Sequence, residues 1–522
     1  MRLTSSSSLI YWILLIAIAL DGMALLWYIT PYGLGLMNDS VAYIGGARAI
    51  LEGKGYGRVV VGGDVKAITN YPPMLSLVLS GIGLSGLDVI RADRLLNALL
   101  FAGVAILIGY FVHKTTRSNF FALLGAVIFC ISAPFLLTFS VAMSEPFYLF
   151  LSLLVLFLLA RYLEKNRAGW LIVVGISSGL AYLTRYVGIS LFSTVLVTLL
   201  VFRPGWKKKV RDCLIYLASG LPFILIWTLR NMTISDNPAN RMFAWHPIPP
   251  DKVQEGVMNF WSWLLPDRLN LVQRLFPLLS ILLYGFTLVL IIGLIIMVVK
   301  NRQRWLNHDG MDIYISWIFG IYAIIYLGTL ILSLTFIDAS PIFENRILSP
   351  IFLCLIVIGM KGCLWLWQRP ALVSKIITAI LILFLLSSLS DRAVHVAQEL
   401  HQDGQGFASA VWRDSETMQA VRELPDKTIY SNKATAINLL ANRPSYVLPS
   451  YINPATQQPR PNYQTDLNRM KELVLQGAAV IVIFGYYELM ESQVDSKEIQ
   501  EITSGLQMIR DYKDGTLFGG IK

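Results

Sequence analysis

Residues 9–29 read LIYWILLIAIALDGMALLWYI, an apolar run whose one charged side chain is Asp21. About 20 apolar residues in a helix cross the hydrocarbon core of a bilayer. A serine run and Arg2 precede this stretch, and no small-residue cleavage pattern follows it. It therefore reads as a retained first membrane helix with its N-terminus inside, not a removable leader. An acid inside such a span predicts a buried helix-to-helix hydrogen bond at Asp21.

Working outward, ten further apolar runs fall near 90–112, 119–139, 145–162, 169–186, 188–202, 212–229, 276–299, 312–334, 346–367 and 374–389. The reading is a polytopic α-helical membrane protein of about 11 transmembrane helices. The composition agrees. Hydrophobic residues make up 55% of the 522 and charged residues 15%, with a mean hydropathy of +0.59. An ordinary soluble domain carries about 25% charge. Disorder, collagen, coiled coil and a disulfide scaffold are excluded together. The four cysteines imply no disulfide framework.

The net charge of +10 does not point to nucleic acid. Before Asp391 lie 30 of the 43 basic residues and 17 of the 33 acidic ones, so the excess belongs to the apolar part. It collects in alternate short loops: Lys114 and Arg117; Arg161, Lys165 and Arg167; Arg203, Lys207, Lys208, Lys209 and Arg211; Lys300, Arg302 and Arg304; Lys361, Arg369 and Lys375. Short cytoplasmic loops are expected to be basic. An odd number of spans then puts the tail outside. Residues 1–390 form the membrane domain, with large outer loops at 30–73 and 231–275. Residues 391–522 form an outer-face α/β domain, with strands expected at 428–431 and 479–484 and helices at 433–441 and 466–476.

The first outer loop contains Met37-Asn38-Asp39-Ser40, then Val41, Ile44, Ala47, Arg48 and Leu51 at helical spacing. This predicts an amphipathic interfacial helix with Asp39 at its N-cap. Gly53-Lys54-Gly55-Tyr56-Gly57 ends it, and Asn70-Tyr71-Pro72-Pro73 leads back to the membrane. In the short turn before residue 145, Ser144-Glu145-Pro146 has the form of a helix start.

The run DSVAYIGGARAILEGKGY from Asp39, NYPP at 70–73, RLLNAL at 94–99, SEPFY at 144–148, LTRYVG at 183–188 and ENRILSP at 344–350 follow one another on one side of the membrane. This order resembles the GT-C superfamily of membrane glycosyltransferases, in the bacterial branch of protein O-mannosyltransferases and aminoarabinose transferases. The resemblance covers essentially the whole chain. It implies an inverting glycosyltransferase of the bacterial inner membrane, with its N-terminus cytoplasmic and its tail periplasmic or extracellular. Its partners are a polyprenyl-phosphate-linked sugar donor, an outer-face acceptor (lipid, glycan or protein) and membrane lipid. It also implies that Asp39 is the general base and that Glu145 is a second acid, positioning the acceptor or orienting Asp39.

A departing lipid phosphate needs cations, and a guanidinium holds phosphate bidentately. Arg346 and Arg185 at outer helix ends are the first candidates, each with snorkelling or a local salt bridge as the alternative. Lys66 and Arg58 in the first loop follow. Where the aminoarabinose branch has a lysine before Pro-Pro, this chain has Tyr71, here a substrate-binding candidate. No Asp-x-Asp occurs in the loop, and His395 and His401 are too far apart to pair on one helix face. No metal or cofactor is expected. Asp88, Arg91, Asp93 and Arg94 read as a mutually paired collar. Phe243, Trp245, Phe260, Trp261 and Trp263 read as an interfacial belt. A transporter or flippase would show internal repeats and midplane charges. Only Asp21 lies near a midplane. A non-catalytic receptor using the tail is the remaining alternative.

Overall fold

A computed structural model describes residues 5–59, 65–235, 237–238, 243–266, 270–300, 311–337, 343–441, 443, 445–453, 458–492 and 496–520. Arg302 and Arg304 of the basic loops lie outside the described residues. Helix α1 (Ser5–Ile29) leads into the first long loop, which is itself folded. It contains α2 (Ser40–Leu51), the antiparallel hairpin β1 (Gly57–Val59) and β2 (Val65–Ala67), and α3 (Met74–Gly83). The membrane part continues with α4 (Val89–Thr116), α5 (Asn119–Cys130), α6 (Ala133–Phe139), α7 (Glu145–Lys165), α8 (Ala168–Thr184), α9 (Ile189–Phe202) and α10 (Trp206–Ser235). Then come α11 (Pro250–Leu264), α12 (Leu271–Arg274), α13 (Phe276–Lys300), α14 (Met311–Phe336), α15 (Asn345–Trp367) and α16 (Leu372–Gln402).

Among the described residues eight helices are long and apolar enough to cross a membrane: α1, α4, α7, α10, α13, α14, α15 and α16. The protein is a multi-pass membrane protein. About eleven spans are expected, and the helices differ in form from the apolar runs at three places. Residues 119–139 form two helices, α5 and α6, bent by 56°. Pro134 sits in the first turn of α6, and Ser132 turns its hydroxyl back to the Ile128 carbonyl at 2.5 Å. Residues 169–202 form two helices, as the separate runs 169–186 and 188–202 predict, and both are short. Arg185 between them is extended (φ −149°, ψ 138°) and a 3₁₀ turn, Tyr186–Gly188, follows. The last helix does not stop near 389. Leu389, Ala393 and Leu400 stay buried at helical spacing, so α16 continues to Gln402 and passes position 390 without a break.

The tail begins with α17 (Ala410–Arg413) and α18 (Glu416–Glu423), then β3 (Thr428–Ser431), α19 (Ala434–Ala441), β4 (Ser445–Val447), α20 (Tyr463–Leu475) and β5 (Ala479–Phe484). It ends with α21 (Tyr486–Glu491), α22 (Ser496–Thr503), β6 (Gln507–Tyr512) and β7 (Gly515–Gly519). The five strands make one sheet in the order β4-β3-β5-β7-β6, parallel through β3, β4 and β5 and antiparallel at β7 and β6. All six residues of β5 are buried, as a strand covered on both faces requires. On one face Ile481, Ile483 and Phe518 meet α20 and α22. On the other, Val480, Val482 and Leu517 belong to a core that includes Leu34, Leu36, Tyr43, Ile44 and Val141. The tail therefore shares a hydrophobic core with the loop that carries Asp39.

Candidate functional site

Asp39 stands at the N-cap of α2, but its side chain makes no cap hydrogen bond. Ser40 ties down this turn: its hydroxyl accepts from the Met37 amide at 2.8 Å and donates to the Ala142 carbonyl at 2.7 Å. The half-buried Asp39 carboxylate is left to face away from the helix. Its Oδ1 accepts the Tyr71 hydroxyl at 2.7 Å. Tyr71 thus meets Asp39 across the loop.

Glu145 opens α7 and is buried, with its side chain 4% exposed. Its Oε1 takes Arg185 Nη1 at 2.6 Å and Arg346 Nη1 at 3.3 Å. Arg346 also donates from Nε to Glu344 at 2.8 Å. The break between α8 and α9 and the start of α15 deliver these two guanidinium groups to one carboxylate oxygen. The two guanidinium groups thus face two carboxylates, Glu145 buried and Glu344 partly exposed, at a partly open place. Arg185 and Arg346 remain 24% and 31% exposed.

The two halves are linked. Arg185 Nη1 donates to the Ser144 hydroxyl at 3.2 Å, which lies 2.9 Å from the Tyr43 hydroxyl. The Tyr43 and Tyr71 rings meet edge to face at 5.5 Å. Burial holds the Tyr43 phenol well above its ordinary range, so it stays neutral beside the arginine. A continuous path runs Asp39, Tyr71, Tyr43, Ser144, Arg185, Glu145, Arg346. Chemically it places an acceptor-only carboxylate on one side and two guanidinium groups on the other.

Comparison with solved structures gives the architecture its name. The archaeal oligosaccharyltransferase AglB from Archaeoglobus fulgidus, in complex with an inhibitory peptide and a dolichol-phosphate, superposes with a TM-score of 0.58 at 11% identity, covering 99% of this chain and 75% of that one. ArnT from Cupriavidus metallidurans, bound to undecaprenyl phosphate, gives 0.53 at 14% identity over 99% of both chains, and its apo state gives 0.56 at 14% over the same shares. The chain has the GT-C fold. Residues 70–229 also match the family model of dolichyl-phosphate-mannose-protein mannosyltransferase. No curated protein matches the chain by sequence.

Within the GT-C fold, the residues expected at the site divide. Asp39, Tyr71, Glu145, Arg185 and Arg346 come together. Arg58 and Lys66 face each other across the β1–β2 hairpin, both exposed, and make no ion pair to this cluster among the described residues. Glu145 touches the arginines and has no described contact with Asp39, so the structure offers no direct orienting bond between the two acids. The expected charged collar is also corrected. Asp88 caps α4 through the amides of Ile90 and Arg91, and Arg94 reaches Thr30 and the Trp27 carbonyl. Asp93 points inward and is fully buried. Asp21 lies exposed on α1 rather than in a buried hydrogen bond. Of the aromatic belt, Phe243 and Trp245 are exposed, but Trp263 is core, stacked on Phe352 at 4.5 Å.

Sequence reasoning missed Tyr43, Ser144, Tyr186 and Arg230. Arg230, near the end of α10, donates to the carbonyls of Ile68 at 2.8 Å and Tyr56 at 3.2 Å, fixing the chain that leads to Tyr71. An arginine at the end of an apolar span was the available signal, the same one that marks Arg185. Among the described residues no three His, Cys, Asp or Glu side chains converge to hold an ion. A cavity of about 660 Å³ in the tail, bounded by Tyr451, Arg460, Tyr463 and Glu501, shares no residue with the cluster.

Proposed function

We propose that this protein is a glycosyltransferase that moves a sugar from a polyprenyl-phosphate carrier to an acceptor with a free hydroxyl or amine. The observation that carries the reading is the path joining Asp39 to the Arg185–Glu145–Arg346 cluster through Tyr71, Tyr43 and Ser144. The carriers bound in the structurally similar ArnT and AglB, undecaprenyl phosphate and dolichol-phosphate, give the donor class.

In this reaction Asp39 takes the proton of the acceptor as the acceptor oxygen or nitrogen bonds to the anomeric carbon. The bond from that carbon to the phosphate oxygen breaks, and its electron pair stays on the lipid phosphate. One displacement inverts the anomeric centre. Arg185 and Arg346 stabilise the charge growing on the phosphate, the larger part of such catalysis in a site shielded from water. Glu145 holds both arginines in place. The basic short loops support a cytoplasmic N-terminus, and the core that the tail shares with the loop carrying Asp39 supports placing both on the outer face, in keeping with a bacterial inner-membrane protein.

The test is direct. Purified protein is incubated with a panel of polyprenyl-phosphate sugars and acceptors, and products are read by mass spectrometry. Asp39→Asn should lower transfer by roughly 10²–10⁴-fold, the usual contribution of a general base, with binding of undecaprenyl phosphate retained. Full transfer by Asp39→Asn removes the base from the mechanism. Lipid-sugar movement across vesicles without any product favours a transporter.

A further inference from the structure

We propose that the tail positions the active site: Gln405 and Gly406 hold the strand at residues 34–36 in register, and through it set where Asp39 stands. This rests on the transferase reading above. Two isolated parallel bridges lie side by side, Gly35 with Val141 and Leu36 with Gly406. Gly35 donates its amide to the Ser140 carbonyl at 2.8 Å and accepts the Ala142 amide at 2.9 Å. On the opposite edge the Phe407 amide donates to the Leu36 carbonyl at 2.8 Å. A side-chain bond closes the outer strand onto the far one, Ser140 Oγ donating to Gln405 Oε1 at 2.6 Å. Three chain segments, from the first loop, the α6–α7 turn and the tail, thus form one small ladder.

Both acids of the candidate site leave this ladder within one turn. Asp39 follows Leu36 by three residues, and Glu145 follows Val141 by four. The tail supplies the outer strand, and the contact is close enough to demand glycine on both sides. A Cβ on Gly406, whose φ is +56°, would lie 2.3 Å from the Leu36 carbonyl oxygen. A Cβ on Gly35 would lie 2.9 Å from Gln405 Cβ and 3.0 Å from its carbonyl oxygen. The outer strand is tied to the tail's central strand by packing: Phe407 meets Trp412 at 5.2 Å, and Trp412 meets Phe484 of β5 at 5.0 Å. Leu34, Leu36, Val141 and Phe407 are buried, so the ladder is part of a core and not a surface contact.

Displacing a reacting group by about 1 Å costs on the order of a hundredfold in rate, so a positioning strand is measurable. The experiment compares Gly406→Ala, Gln405→Leu and Gln405→Glu with the unmodified full chain in lipid nanodiscs. Gln405→Glu keeps the acceptor for Ser140 and should behave as the parent. Gln405→Leu and Gly406→Ala should lower kcat by about tenfold or more, with the donor KM within about twofold. Amide hydrogen exchange should quicken over residues 35–43 while β5 and α7 keep their protection. Exchange over 35–43 at the parental pace overturns the proposal. So does parental kcat despite faster exchange, and so does a change confined to KM. If the parent transfers no sugar at all, the transferase reading fails, and the exchange comparison still decides whether the tail holds the loop.

Discussion

The hydroxyl of Tyr71 donates to the carboxylate of Asp39 at 2.7 Å, joining two ends of one loop that lie 32 residues apart. A hydrogen bond of this length restrains the direction of the carboxylate. It also occupies one oxygen, leaving the other for an acceptor. Tyr71→Phe removes the donor and keeps the ring against Tyr43. Transfer should drop by about tenfold through lost orientation, with the fold intact by circular dichroism. An unchanged rate shows that the bond positions nothing.

Glu145 satisfies two guanidinium groups from one buried oxygen, so its charge has two consequences that separate in experiment. Glu145→Gln keeps the shape and removes the anion. Breaking a buried pair from one side costs about 3–5 kcal/mol, and the thermal midpoint in detergent should fall accordingly. Arg185, freed of its anion, and Arg346, left with Glu344 alone, should then bind undecaprenyl phosphate more tightly and release it more slowly. If Glu145 were instead the base, the variant would lose transfer as completely as Asp39→Asn with no gain in lipid affinity.

A second buried ion pair lies at the other end of α7. Arg203 Nε meets Asp212 at 2.6 Å with side chains 6% and 1% exposed, and Tyr162 donates to the same carboxylate at 2.5 Å. Tyr162 lies about 25 Å along the helix from Glu145, at 1.5 Å per residue. Asp212→Asn should therefore lower stability by about 3–5 kcal/mol, while transfer per folded molecule stays at the parental value. Thermal unfolding paired with activity on the folded fraction reads both. A loss of activity in the folded fraction would tie this end of the bundle to the chemistry.

The long spans were legible because a bilayer imposes one rule, about 20 apolar residues per helix, and α4, α7, α10 and α15 obey it. The break at Arg185 was legible as the gap between the runs 169–186 and 188–202. The bend between α5 and α6 was not, because 119–139 is one apolar run and hydropathy records the run alone. In the tail, β5 announced itself as an apolar, β-branched run, and β3, TIYS, by its β-branched and aromatic residues. The edge strand β6, QMIRDY, has mixed polarity and is mostly exposed, so its pairing with β7 decides its form. At the site, Asp39 and Arg346 were visible as charges at helix ends. Tyr43 and Ser144 carry no charge, and their part in the path follows only from where Arg185 points.

The guanidinium of Arg230 spans two carbonyls of the first loop, Ile68 and Tyr56, and lies over the Trp227 ring at 4.8 Å. A planar fork reaches both acceptors at once, and an ammonium is a single compact charge that is more strongly hydrated. Charge alone would make Arg230→Lys silent; geometry makes it costly. Its neighbours reinforce the same segment, with Asn231 donating to the Thr69 carbonyl at 3.1 Å and Tyr186 at 3.2 Å. Those bonds persist in the variant, so the loop should loosen rather than unfold. Exchange over residues 56–71 should quicken, and transfer should fall several-fold as Tyr71 loses its fixed place opposite Asp39. Because Arg230 bonds carbonyls and not the Arg185–Glu145–Arg346 cluster, affinity for undecaprenyl phosphate should stay within about twofold of the parent. A large loss of that affinity would instead make Arg230 a cation of the donor site, and parental exchange with parental transfer would show that the clamp on Tyr56 and Ile68 is dispensable.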